Sequence, residues 1–170
     1  MSALRIGNRG VAAVEFAMLA LPLLLLALGA IEFGLQAATA SALDFGARAA
    51  ARTGITGGGY NLVTQITERQ KSLRDAALAA SGGWLYEPSK LTISEKSYNT
   101  IAEAQADPNG TDLSKGLPGP GGPKQYVRYR LSYVQPLWVP AKLISDFFGG
   151  KDSITHTSTV LVTNEPFPIN

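Results

Sequence analysis

Cysteine is absent from the 170-residue chain and histidine occurs once, as His156. Disulfides, iron–sulfur clusters, thiolate zinc sites and His-rich metal sites are therefore excluded, and no metal or other cofactor is expected. Charge is sparse too. Fifteen Lys plus Arg against 13 Asp plus Glu leave a formal net charge of +2, and charged residues are 16% of the chain where about 25% is usual. Such a balance builds no basic face of the kind nucleic acid needs, so nucleic acid is not expected as a partner. Enzyme signatures are missing as well: no Gly-x-Ser-x-Gly, His-Glu-x-x-His or paired-carboxylate block occurs, and the glycines at 57–59 have no Gly-Lys-Ser or Gly-Lys-Thr after them. Asp107, Asn109 and Asp112 lack the acid that would complete a calcium loop, which leaves a turn at Asn109-Gly110 as the plainer reading. His156, in a Thr-rich stretch without a partner nucleophile, reads as a surface or satisfied strand position. No catalytic residue is assigned, and an enzyme is not expected.

What the chain does have is apolar sequence, 45% of all residues, concentrated at its start. Met1 to Gly10 carries Arg5 and Arg9 and no acid; Val11 to Ile31 then runs 21 residues with Glu15 as its only charge. As a helix that run is about 31 Å long, the thickness of a hydrocarbon core of about 30 Å. It can cross a membrane once, and nothing downstream is long or apolar enough to do the same. Arg5 and Arg9 bias the N-terminus to the cytoplasm, which places Gln36 to Asn170 outside it and makes membrane lipid a partner. Glu32, at the end of the run, is expected at the outer interface with a solvated carboxylate.

The helical signal outlives the membrane. Gln36 to Thr53 is Ala-rich, with Asp44 and Arg48 at i, i+4, so residues 11–53 read as one rod of about 65 Å, bent if anywhere at the kink-prone Pro22. Residues 54–59 read as a glycine hinge, and 60–170 as an extracytoplasmic head. In the head, Tyr60 to Ser81 has the three- and four-residue apolar spacing of an amphipathic helix, closed by Gly82 and Gly83. Leu91 to Tyr98, Tyr126 to Val134 and Ile154 to Thr163 read as strands. The Gly- and Pro-rich segment 107–124 reads as a flexible loop, and Pro140 to Phe148 as a short helix. The expected fold class is α+β: a long N-terminal transmembrane helix continuing into a small domain in which an amphipathic helix covers a roughly three-stranded antiparallel sheet.

Glu15 is the anomaly in the span, since a carboxylate at a membrane centre costs about 2.5 kcal/mol or more and somewhat less near the edge. Gly10 before the run, Glu15 fifth after it and Phe16 sixth make an arrangement that resembles class III (type IV-like) prepilins, and in particular TadE-like minor pilins of tight-adherence (Flp-type) systems. Residues 14–25, VEFAMLALPLLL, are similar to the block that opens TadE-like domains, and Phe45-Gly46-Ala47-Arg48-Ala49-Ala50 to the segment that follows the span. Tyr133 to Pro140 and the closing Thr163-Asn164-Glu165-Pro166-Phe167 are similar to the family's C-terminal region. TadF-like minor pilins share the N-terminal features.

The resemblance implies a structural protein whose leader is removed by a prepilin peptidase between Gly10 and Val11, with Glu15 and Phe16 as the processing and assembly motif. It also implies other minor pilins, the major Flp pilin, an inner-membrane platform and an outer-membrane secretin as partners, an inner-membrane or pilus location, and a part in assembling or priming a pilus used for surface attachment and biofilm formation. Physically, a freed amine at Val11, with a reference pKa of about 8, is able to pair with Glu15 of a neighbouring helix and so select one longitudinal offset. The plainer alternative is that Glu15 snorkels to the interface beside Arg9. Two further readings of the N-terminus stay open: a cleavable signal peptide cut after Ala38-Thr39-Ala40, giving a secreted or periplasmic binding domain, and an uncleaved bitopic membrane protein.

Overall fold

A computed structural model gives the backbone of residues 9–55, 65–138 and 151–166. The leader with Arg5, the glycines at 57–59, the first residues of the amphipathic stretch at 60–64 and the helix expected over Pro140 to Phe148 lie outside the described residues, as does the side chain of Arg9.

The first helix, α1, runs unbroken from Arg9 to Ile55 with Pro22 inside it, and α2 spans Gln65–Ala80. Strand β1 (Leu91–Tyr98) follows a 3-10 turn at Pro88–Lys90. A five-residue helix, α3 (Ile101–Gln105), and a two-residue strand, β2 (Leu117–Pro118), then precede the long strands β3 (Tyr126–Pro136) and β4 (Ser153–Thr163). The sheet is four-stranded and antiparallel in the order β2-β1-β3-β4, one strand more than the periodicity indicates. That extra strand is β2, which borders β1 at Lys96 and Ser97 from within the Gly- and Pro-rich segment. Two residues are too few to show an alternation, and Pro118 suits a position at the sheet edge.

Both large helices pack on one face of this sheet. Register places Glu95, Ile93 and Leu91 of β1, Tyr129, Leu131 and Tyr133 of β3, and Val160, Ser158 and His156 of β4 in rows on that face. Buried Leu43, Ala47, Ala50 and Ala51 of α1 and Leu73 and Ala77 of α2 complete the core. The spacing on α1 explains how two helices and a sheet fit so closely. Gly46, Ala47, Ala50, Ala51 and Gly54 form a buried stripe whose side chains hold at most one heavy atom, while Arg48 and Arg52 stay exposed on the other side. At Gly46 an added Cβ would lie 3.0 Å from the carbonyl oxygen of Ala77, which marks the closest approach of α1 and α2.

Gly54, read above as the start of a hinge, is instead the penultimate residue of α1, and the hydroxyl of Tyr129 lies where its Cβ would be, at 2.1 Å. Gly54→Ala is therefore expected to push the Tyr129 ring aside and cost the head about 1–3 kcal/mol, as overpacking of a close-packed core does. A lower thermal midpoint of the full chain in detergent micelles would register this, whereas an unchanged midpoint would contradict the close fit.

The opposite face of the sheet carries Lys96, Tyr98 and Arg128, covered by α3 and the turns after it. A capping pair starts α3: the Thr100 hydroxyl accepts from Glu103 N at 3.2 Å, and the Glu103 carboxylate accepts from Asn99 N at 3.0 Å. Arg128 then donates to the carbonyls of Ala104 and Pro108. At the far end of the chain, Asn164 Nδ2 donates to Pro120 O at 2.8 Å and Gly122 O at 3.0 Å, and Glu165 N donates to Ile55 O at 3.1 Å. Residues Asn164 and Glu165 thus tie the 117–125 segment to the sheet and satisfy a carbonyl left open at the end of α1.

Candidate functional site

The two halves of α1 differ in what covers them. From Gly10 to Ile31 nearly every residue is exposed, including Val11, Phe16, Leu19 and Leu26, although the segment is apolar on all sides. A helix apolar all round needs an apolar surrounding, and among the described residues α1 is the one helix long and apolar enough to cross a membrane. Gly10, Val11, Glu15 and Phe16 occupy its first two turns, with the Glu15 side chain exposed. Glu15 and Phe16 are adjacent in sequence and so project about 100° apart, the carboxylate and the ring serving different directions around the rod. Pro22 lies a further turn and a half on, within the exposed half.

The covered half begins abruptly at Glu32. Its side chain is not solvated, as its place at the end of the apolar run suggests, but buried, with only 3% of the residue exposed. Gln36 Nε2 donates to Glu32 Oε1 at 2.6 Å, one turn away on the same helix, and the backbone N–H of Trp138 donates to Glu32 Oε2 at 2.9 Å. Gln36 Oε1 in turn lies 2.7 Å from Nε2 of His156 on β4. Because the Gln36 amide has already turned its N–H toward Glu32, its oxygen accepts, and His156 carries its proton on Nε2. The lone histidine is thus a satisfied strand position.

A second polar group locks the other end of the covered half. Arg69 of α2 donates through Nε to Glu95 Oε2 at 3.1 Å, and through Nη2 to Gly54 O at 3.2 Å and to the Tyr129 hydroxyl at 3.0 Å. Burial raises the Glu95 pKa against the opposing pull of Arg69, and burial pushes the Tyr129 hydroxyl up to about 12. Between these two locks, α1 and β3 run antiparallel over matched lengths, about 33 Å from Glu32 to Gly54 and about 30 Å from Trp138 to Tyr129. The head is therefore clasped to the helix at both ends, and the apolar half of α1 projects beyond it. Sequence reasoning missed both locks, since it identifies Glu32, Gln36 and Arg69 as polar but not what they face.

His156 makes the lower lock sensitive to acid. Desolvation lowers its pKa from the ordinary 6.5, so the native state resists a proton that the unfolded chain accepts. Stability from this group is present above that value and is lost as pH falls below it. Glu95, with its pKa raised above the ordinary 4.5 by burial, works in the opposite direction as pH falls toward that value. The expected result is that wild type loses more thermal stability between pH 7 and pH 5.5 than His156→Gln does; equal losses would remove His156 from the account.

The architecture defines a class of protein before any comparison: one long apolar helix, compatible with a single-pass membrane anchor, whose distal half forms the core of an α+β head. Residues 10–52 match the family model described as TadE-like protein. The chain carries a TadE-like N-terminal region, consistent with a TadE-like protein of the Tad pilus system, and the match ends where α1 has nearly completed its packing in the head. No curated protein and no solved structure matches the chain. The match covers 43 of the 170 residues, all of them on α1, and suggests an association with the Tad pilus system. Within the matched segment, the Gly46-to-Ala51 stretch has a physical role in this chain: its small residues let α2 and the sheet approach α1.

Proposed function

We propose that this chain is a minor pilin, or pseudopilin, that takes part in assembling or priming a tight-adherence (Flp-type) pilus used for surface attachment. In this reading residues 1–10 are a leader removed by a prepilin peptidase between Gly10 and Val11, and Arg5 and Arg9 hold that end in the cytoplasm. The subunit resides in the inner membrane with its head outside, and is able to pass into the pilus. Its exposed apolar half-helix packs beside those of other minor pilins, TadF-like ones among them, and of the major Flp pilin at the inner-membrane platform. Glu15 sets the longitudinal offset by pairing with the freed amine of Val11 on a neighbour, Phe16 completes the processing and assembly motif, and Pro22 supplies the bend.

The observation that carries this reading is the division of α1. Its first half is bare and apolar with one exposed carboxylate near the start, whereas its second half is clasped at Glu32 and Gly54 by the head. Such a subunit offers the same rod to lipid and to sibling rods. The division also weighs against cleavage after Ala40, because losing residues 1–40 would take Glu32 and Gln36 away from Trp138 and His156.

N-terminal sequencing of the chain recovered from membranes of cells that make the peptidase tests it. Wild type is expected to begin at Val11 and Gly10→Leu at Met1. Glu15→Leu is expected to be cut yet to be missing from sheared filaments. A wild-type chain starting near Ser41 would make the N-terminus a signal peptide, and one starting at Met1 an uncleaved anchor; either result ends the proposal.

A further inference from the structure

We infer that Trp138 is a membrane-interface anchor, which seats the base of the head in the headgroup layer of the bilayer that α1 crosses. The inference rests on reading the apolar half of α1 as a membrane span. Helical side chains lean toward the N-terminus of their helix, so the Glu32 carboxylate lies level with or below its own Cα, toward the span. Trp138 N is 2.9 Å from that carboxylate, which fixes the Trp138 backbone at the outer end of the Val11-to-Ile31 run. The hydrocarbon core is about 30 Å thick and the bilayer with its headgroups about 40–45 Å, so several ångströms of interfacial layer begin at this height.

Trp138 is 77% exposed, and so is Phe33, the residue after Glu32. Elsewhere in the head Trp84 and Phe45 are less exposed, at 47% and 60%. An indole so open to water is costly in a globular domain and favourable among headgroups, where its apolar ring and N–H each find a suitable surrounding. Polar companions are at hand. Leu137 N donates to Asp152 O at 2.9 Å, which brings the exposed Lys151 to the same end of the sheet, a cation suited to lipid phosphate. The buried Glu32 carboxylate also gains from this arrangement: at the edge of the hydrocarbon it already holds donors from Gln36 and Trp138 and needs no water from the lipid side. The orientation of the head is then fixed twice, by the clasp to α1 and by the ring resting in the interface.

The chain has two tryptophans, so Trp84→Phe leaves Trp138 as the sole indole, and Trp138→Phe gives the reciprocal form. Trp84 follows α2, which runs back along α1 from Arg69 at Gly54 to Ala77 at Gly46 and ends at Ala80, about 16 Å farther along α1 than Glu32. The full-length forms are reconstituted into phosphatidylcholine vesicles brominated either near the headgroup or near the chain ends. Trp138 emission is expected to be blue-shifted, shielded from acrylamide, and quenched chiefly by the shallow bromines, with Trp84 showing none of these. If the protein floats with the vesicles but Trp138 is quenched by neither lipid, or chiefly by the deep bromines, the inference is overturned and the span survives. Failure to float with the vesicles overturns the span and the anchor together.

Discussion

Arg69→Leu is expected to destabilise the head by about 3–5 kcal/mol, the usual cost of leaving one member of a buried ion pair without its partner. The Arg69 and Glu95 side chains are 5% and 10% exposed, so neither charge has water as a ready substitute. Removal of the guanidinium would also take a donor from Gly54 O at the end of α1 and from the Tyr129 hydroxyl, and thereby loosen a point where α1, α2, β1 and β3 share a polar contact. Glu95 already has a raised pKa from burial with Arg69 present; without it the carboxyl would take up a proton at a still higher pH. Chemical denaturation of the full chain in micelles, followed by tyrosine fluorescence, gives the free energy. Arg69→Leu combined with Glu95→Leu is expected to recover a good part of the loss, because an apolar pair leaves no charge stranded. A loss below about 1 kcal/mol for the single variant would place this pair with solvent-exposed salt bridges.

The elements most visible in the sequence are those whose pattern is local. The apolar run and its Ala-rich continuation mark α1, the three- and four-residue spacing marks α2, and alternation marks β1, β3 and β4, within a few residues of the observed bounds. Thr100 and Glu103 carry a capping signal for α3 that the surrounding turn residues obscure. What the sequence conceals is mutual placement. Gly46, Ala47, Ala50, Ala51 and Gly54 read as helix-favouring Ala and breaking Gly until α2 and Tyr129 are set against them; only then is the stripe a contact surface. Glu32 reads as an interfacial carboxylate because its acceptor role depends on Trp138, more than a hundred positions away. The processing and assembly role proposed for Gly10, Val11, Glu15 and Phe16 rests on resemblance alone, since in the single chain those residues lie on an exposed stretch of α1.

Asp107 illustrates the same gap, and its replacement has an effect as large as that of Arg69 but confined to one face. The turn expected at Asn109-Gly110 is present, with Gly110 N donating to Asp107 O at 3.1 Å and Gly110 at φ +69°, a conformation glycine adopts freely. The Asp107 carboxylate then turns inward. It accepts from Lys96 Nζ at 2.7 Å, the Tyr98 hydroxyl at 2.9 Å, and the backbone N–H groups of Thr111 and Asp112 at 3.0 and 3.1 Å. Burial alone would raise its pKa; the Lys96, Asp112 and Tyr98 bonds outweigh burial and hold the carboxyl well below the ordinary carboxylate value of 3.8. A depressed native value means that the stabilisation is complete above 3.8 and is lost as pH falls below it toward the native value.

Asp107→Asn keeps the shape, removes the charge and leaves Lys96, whose side chain is 10% exposed, bonded to the Asp112 carbonyl but without a counter-charge, so a cost of about 3–5 kcal/mol is expected. Unlike the Arg69 variant, this one should spare the joint between α1 and the sheet, because Asn164 holds Pro120 and Gly122 independently. Amide hydrogen exchange distinguishes the two: Gly110 N, Asp112 N and Lys115 N should exchange faster, while the ladder between β3 and β4 keeps its protection. The variant's stability should also vary less with pH below about 4 than that of wild type, since the carboxyl responsible for that dependence is gone. Faster exchange throughout β3 and β4 would mean instead that the cover formed by α3 and its turns is a condition for the sheet itself.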